Sequence, residues 1–119
     1  MLKELFEKAD KNTKEKLRKS QWGKWVFDRK NCTLTYDPER TGYEIDLEEI
    51  HTSAEMLDWV FQLWNKIWIQ EDDPQGIADL IAAFDDLLYP QSNYCSFGKD
   101  KRVLNPKEII EEKFKEVGL

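Results

Sequence analysis

From Trp25 to Leu47 apolar and polar side chains alternate along the chain. Trp25 and Phe27, then Cys32, Leu34 and Tyr36, then Tyr43, Ile45 and Leu47 hold one phase. Lys24, Asp28, Thr33, Thr35, Glu44, Asp46 and Glu48 hold the other, with Val26 the exception. A period of two belongs to a half-buried strand, because successive side chains point to opposite faces of a sheet. Asp28-Arg29-Lys30-Asn31 reads as a short turn, and Asp37-Pro38-Glu39-Arg40-Thr41-Gly42 places Pro and Gly where a longer hairpin loop needs them. Residues 21–50 therefore predict a three-stranded antiparallel meander with one wet face, whose apolar face requires a covering layer.

After His51 the period changes to that of a helix. Thr52-Ser53-Ala54-Glu55 has the form of a capping box, followed by Met56, Trp59, Val60, Leu63, Trp64 and Ile67 at alternating spacings of three and four. Leu57, Phe61 and Trp68 add a second apolar flank, so this helix carries more apolar surface than one sheet can cover. Glu71-Asp72-Asp73-Pro74 closes it and opens the next, with Asp73 as N-cap and Pro74 at the first helical position. The second stripe is Ile77, Leu80, Ile81, Phe84, Leu87 and Leu88, stopped by Pro90. Residues 52–90 thus predict a helical hairpin packed on the sheet, 91–104 a polar loop, and 105–119 a C-terminal helix starting at Asn105-Pro106 with Ile109, Ile110, Phe114 and Val117. At the other end, Leu2, Leu5, Phe6 and Ala9 give 1–20 the character of a charged N-terminal helical segment. The expected architecture is a single α+β domain over 1–119.

Composition narrows the function classes. Forty per cent apolar and 35% charged residues, with fifteen aromatics, describe a folded domain of 119 residues and not a disordered chain. No run approaches the roughly 20 apolar residues of a membrane span, and Met1-Leu2-Lys3-Glu4 lacks the layout of a signal peptide, so the expected location is the cytoplasm. The net charge of −6 conceals an asymmetry. Residues 1–30 hold ten basic and five acidic side chains, 31–90 two and fourteen, and 91–119 six and five. An acidic middle disfavours nucleic acid and favours a protein partner with a basic surface.

Catalytic chemistry finds little support. His51 is the only histidine, and at a strand-to-helix junction it is more often a structural group than a general base. No nucleophile elbow or phosphate-binding glycine loop occurs; the five glycines are scattered. Asp79, Asp85 and Asp86, or Glu55 with Asp58, lack the Glu-x-x-His pattern of a carboxylate-bundle metal site and read as solvated acids. Cys32 and Cys95 stand 63 residues apart without zinc-like spacing, and read as small buried hydrophobes. No cofactor and no metal are expected, and the chain is not expected to be an enzyme. One loop carries the side chains a ligand site would need. There Asn93 and Ser96 offer hydrogen bonds, Tyr94 and Phe97 stacking surfaces, Gly98 close backbone approach, and Lys99, Lys101 and Arg102 phosphate contacts. The plainer reading is that the two rings pin the loop to the core.

Tyr43-Glu44-Ile45-Asp46-Leu47, Thr52 through Gln62, Pro90-Gln91, Tyr94-Cys95-Ser96 and Gly98 together resemble an uncharacterised family of small hypothetical proteins of bacteria and their plasmids or phages. The resemblance covers Tyr43 to Arg102 and implies a core module there; it implies no activity. Taken together, the residues predict a small acidic interaction protein, of the inhibitor, immunity or anti-defence type, that binds and blocks a protein partner. Glu44, Asp46 and Glu48 on the polar sheet face would steer that partner, and Trp59, Trp64 and Trp68 would divide between core, homodimer seam and anchor. The alternative is a small-ligand or nucleotide-binding module built on the 93–102 loop.

Overall fold

The computed structural model describes residues 14–88 and 106–119. Residues 14–19 are helical (α1) and lead into four strands: β1 (Gln21–Trp22), β2 (Trp25–Asp28), β3 (Thr33–Tyr36) and β4 (Tyr43–Asp46). A 3-10 turn at Leu47–Glu49 leaves the sheet, followed by α2 (Ser53–Trp64), α3 (Ile67–Asp72), α4 (Gln75–Leu88) and α5 (Pro106–Glu116). The fold is α+β. Residues 1–13 of the predicted N-terminal segment, and the 91–104 loop, lie outside the described residues.

The sheet is four-stranded and antiparallel throughout, in the order β1-β2-β3-β4, which corrects the expected three strands. The added strand is too short for alternation to reveal it. Gln21 pairs with Val26 and Trp22 with Trp25 across a two-residue turn whose first position, Gly23, has φ +58. Glycine at that position gives the tight hairpin its twist without a steric penalty. The expected strand limits also contract. Cys32 sits at φ +57 in the turn before β3, and Leu47 has left β4, although its N–H still reaches the Cys32 carbonyl at 3.0 Å. The Asp46 carboxylate accepts from the Glu48 N–H at 3.0 Å, capping the 3-10 turn and bending the chain off the sheet.

Residues 53–88 form three helices, not the two of the expected hairpin. The Thr52 hydroxyl accepts from the Glu55 N–H at 3.1 Å, as the capping box predicts, and it donates to the Glu55 carboxylate at 3.3 Å. α2 stops at Trp64, where the N–H groups of Asn65 and Lys66 turn back to the Phe61 and Leu63 carbonyls. The Gln70 amide donates to the Trp64 carbonyl, one of the acceptors a helix end leaves open. α4 begins at Gln75, one position after the expected start at Pro74, and the Asp73 carboxylate, expected as its N-cap, accepts from the Tyr36 hydroxyl at 2.7 Å.

α4 supplies the layer over the sheet. Ile77, Leu80, Ala83, Phe84, Leu87 and Leu88 are buried on it, against the inward row Trp22, Trp25, Phe27, Leu34, Tyr36 and Ile45. Burial of each such large side chain contributes about 1.5–3 kcal/mol. Two indoles fix the helix in place, for Trp25 Nε1 donates to the Gly76 carbonyl and Trp22 Nε1 to Asp86 Oδ2, both at 2.8 Å. Gly76 permits the approach, since a Cβ there would stand 2.8 Å from Ile69 Cδ1 and 3.1 Å from Tyr36 Cε1. α5 closes the opposite edge with Ile110 and Phe114 buried, Phe114 stacking on Phe27 at 5.8 Å. Arg29, from the β2–β3 turn, lies over the Phe114 ring and binds Glu111 through both carboxylate oxygens.

Candidate protein-interaction surface

The wet side of the sheet begins with register. Val26, Thr35 and Glu44 stand opposite one another across β2, β3 and β4, and Asp28, Thr33 and Asp46 form the next row. Alternation turns these side chains to the face opposite the inward row, but the face is only partly wet: Val26, Asp28 and Glu44 are exposed, Thr35 is half-buried and Thr33 is buried. Glu44 and Glu48 are exposed, while Asp46 is half-buried by its capping bond. Of the three residues expected together on the polar sheet face, only Glu44 is exposed there: Glu48 lies on the 3-10 turn that has left the sheet, and Asp46 is committed to the backbone.

The three expected tryptophans part company. Tyr43 is the centre of an aromatic group, with Trp25 at 6.2 Å, Trp59 at 6.3 Å and Trp68 at 5.8 Å, each edge to face. Trp68 also lies 5.3 Å from Tyr36. Trp59 and Trp68 are consequently half-buried and pack on the core. The Tyr43 hydroxyl is buried with no hydrogen-bond partner among the described residues, and burial pushes its phenol pKa up. Tyr36 is shifted the same way, by desolvation and by its bond to Asp73.

Trp64 turns outward and is not alone. Phe61, Trp64 and Ile67 are 62%, 55% and 68% exposed, bracketing the corner where α2 gives way to α3. Phe61 and Trp64 share a helix face by their spacing of three, and the Lys66-to-Leu63 backbone bond keeps the corner tight. Isolated exposed apolar residues are ordinary, but three large ones within seven positions form a patch. Phe61 and Ile67 were not among the expected site residues; the excess apolar circumference of this helix was the signal that held them. Beside the corner an open groove of about 340 Å³ is lined by Glu49, Ala54, Glu55, Asp58, Trp59 and Gln62. Asp58 accepts from the Gln62 amide at 2.7 Å, which positions the carboxylate without neutralising it.

Charge sets this region apart. From Glu44 to Asp73 the chain holds nine acidic residues and one basic residue, Lys66. The ion pairs among the described residues join Glu15 to Arg18 and Lys19, and Glu111 to Arg29, and none involves those nine acids. Comparison with protein-family models, curated proteins and solved structures finds no match to the chain.

Other expected sites are quickly placed. Asn93, Tyr94, Ser96, Phe97, Lys99, Lys101 and Arg102 lie outside the described residues, as does Cys95. His51 is exposed at the entrance to α2. Cys32 is buried, and desolvation together with the Glu48 and Asp46 carboxylates pushes its thiol up to about 11, so it is a packing group and a poor nucleophile at neutral pH. Asp86 is not a solvated acid: it lies partly buried under Trp22, and desolvation raises its pKa. Among the described residues no group of three or more His, Cys, Asp or Glu could hold a metal ion, and no helix is long and apolar enough to cross a membrane.

Proposed function

We propose that the protein is a non-catalytic interaction protein that binds and blocks a protein partner carrying a basic surface, in the manner of an inhibitor, immunity or anti-defence factor. The observation that carries this reading is the acidic belt from Glu44 to Asp73, whose carboxylates form no ion pair among the described residues and are carried on the sheet, the 3-10 turn and the helices α2 and α3. Such a belt raises encounter rates with an oppositely charged surface and repels like-charged ones.

The test is affinity capture with the full chain and with a Glu44→Lys/Glu48→Lys variant, which spares the Asp46 cap. Captured proteins are identified by mass spectrometry, and association of the purified partner is timed at rising salt. The expected result is a partner with a basic face whose association rate falls with salt, and falls about tenfold in the variant. A partner that associates equally fast with both chains, at a rate indifferent to salt, overturns the reading.

A further inference from the structure

Apolar side chains left in water beside carboxylates that form no ion pair among the described residues constrain what can cover them. A second copy of the chain would bring two acidic belts face to face, and a neutral apolar surface would desolvate carboxylates without replacing their hydration. A segment that presents an apolar side chain next to a cation satisfies both halves of the surface at once. Phe61, Trp64 and Ile67 offer it the apolar contact, and the adjacent groove offers Glu49, Glu55 and Asp58 beside the Trp59 ring. Lysine and arginine are the side chains suited to such a groove, because an aliphatic stem packs on an indole while the charged head meets carboxylates.

We propose that the α2–α3 corner and its groove form the docking site, and that the occupant is a partner segment in which an apolar residue is flanked by lysine or arginine. The proposal rests on the reading of the chain as a binder of basic proteins, and makes it specific. Asp58 is the central acid of this site, since it lines the groove on the same helix as Phe61, three positions away.

Two synthetic peptides of equal length and charge, one of Lys and Leu and one of Lys and Ser, are titrated into the full chain labelled with nitrogen-15. The expected result is that the Lys/Leu peptide binds about tenfold tighter than the Lys/Ser peptide, with amide shifts centred on residues 58–68. That advantage is expected to vanish in a Phe61→Ser/Trp64→Ser variant, while Asp58→Lys weakens both peptides; circular dichroism checks that each variant keeps the fold. Equal binding of the two peptides, or shifts centred on β4 with the corner silent, overturns the corner as the site and leaves the basic-partner reading standing. Absence of binding by either peptide overturns both. Self-association through the corner, seen as dilution-dependent shifts at the same residues, overturns the proposed occupant.

Discussion

Trp22 and Asp86, sixty-four positions apart, are joined by a hydrogen bond of 2.8 Å from the indole Nε1 to the carboxylate Oδ2. The bond ties the two-residue strand β1 to the last turns of α4, in surroundings dry enough to raise the Asp86 pKa despite the indole and the nearby charges of Lys16 and Lys113, with Asp85 adding to the rise. Charged Asp86 is thus a cost to the fold at neutral pH, and the cost is relieved as the pH falls through its raised native value towards the ordinary 3.8. Asp86→Asn keeps an acceptor for the indole and removes the charge. It is expected to be more stable than the native chain at neutral pH, with the difference closing in acid. Asp86→Ala strands the indole N–H and is expected to lose about 1–3 kcal/mol. Urea unfolding across a pH series reads both.

Arg29 carries the docking of α5, since its guanidinium grips Glu111, lies 4.5 Å from the centre of the Phe114 ring and reaches the Leu119 carbonyl at 3.1 Å. The pair is more than one-third exposed on both sides, so solvent screens it and the whole cluster should contribute about 1 kcal/mol. Arg29→Ala is expected to lose that amount, and Arg29→Lys nearly as much because the two-pronged grip and the ring contact go with the guanidinium. The partner's pH dependence has a definite sign. The Arg29 hydrogen bonds hold the Glu111 carboxyl below its ordinary 4.5, so this contribution is present above that value and is lost as the pH falls through the lowered native one. Hydrogen exchange should show α5 amides losing protection before those of the sheet.

Gly76→Ala tests the close approach of α4 to the sheet. In an exposed helix the change would stabilise by roughly 1 kcal/mol. Here the added methyl meets Ile69 and the Tyr36 ring, and displaces the carbonyl that receives the Trp25 indole. The expected outcome is a net loss of about 1–3 kcal/mol, measured by denaturant unfolding, with a change in the near-ultraviolet signal of the tryptophans.

Phe61 and Trp64 face water, whereas Leu63 between them is wholly buried. Phe61→Ser and Trp64→Ser should each change stability by no more than about 0.5 kcal/mol, while Leu63→Ala should cost about 2–5 kcal/mol. A pronounced fall in melting temperature for either surface variant would show that the corner belongs to the core.

Cys32 provides a chemical probe of the same core. In a Cys95→Ser background its thiol should react with a disulfide reagent only as fast as the protein unfolds, because it is buried and pushed up to about 11.

Much of this fold is written in local pattern. Alternation places Trp25, Phe27, Leu34, Tyr36 and Ile45 on one face because strand geometry alone decides it, and the stripes from Ile77 to Leu88 and at Ile110 and Phe114 follow from helical spacing in the same way. Thr52 and Pro106 mark their helix starts through chemistry confined to a single turn. What periodicity could not supply was anything set by groups distant in the chain. β1 has two residues, too few to show a period, and exists because Gly23 turns the chain and Trp22 finds Asp86. The corner after Trp64 interrupts an unbroken apolar pattern, because a stripe records which residues are apolar and not how many of them the core has room to receive. So the amount of apolar surface along α2 and the start of α3 was determined by sequence, whereas its division into Met56, Val60 and Leu63 inside and Phe61, Trp64 and Ile67 outside was decided by packing, once α4 and the sheet had filled the space. The acidity of the belt likewise belongs to the sequence; that none of the ion pairs among the described residues neutralises it is a property of where the tertiary structure puts Arg29 and the lysines.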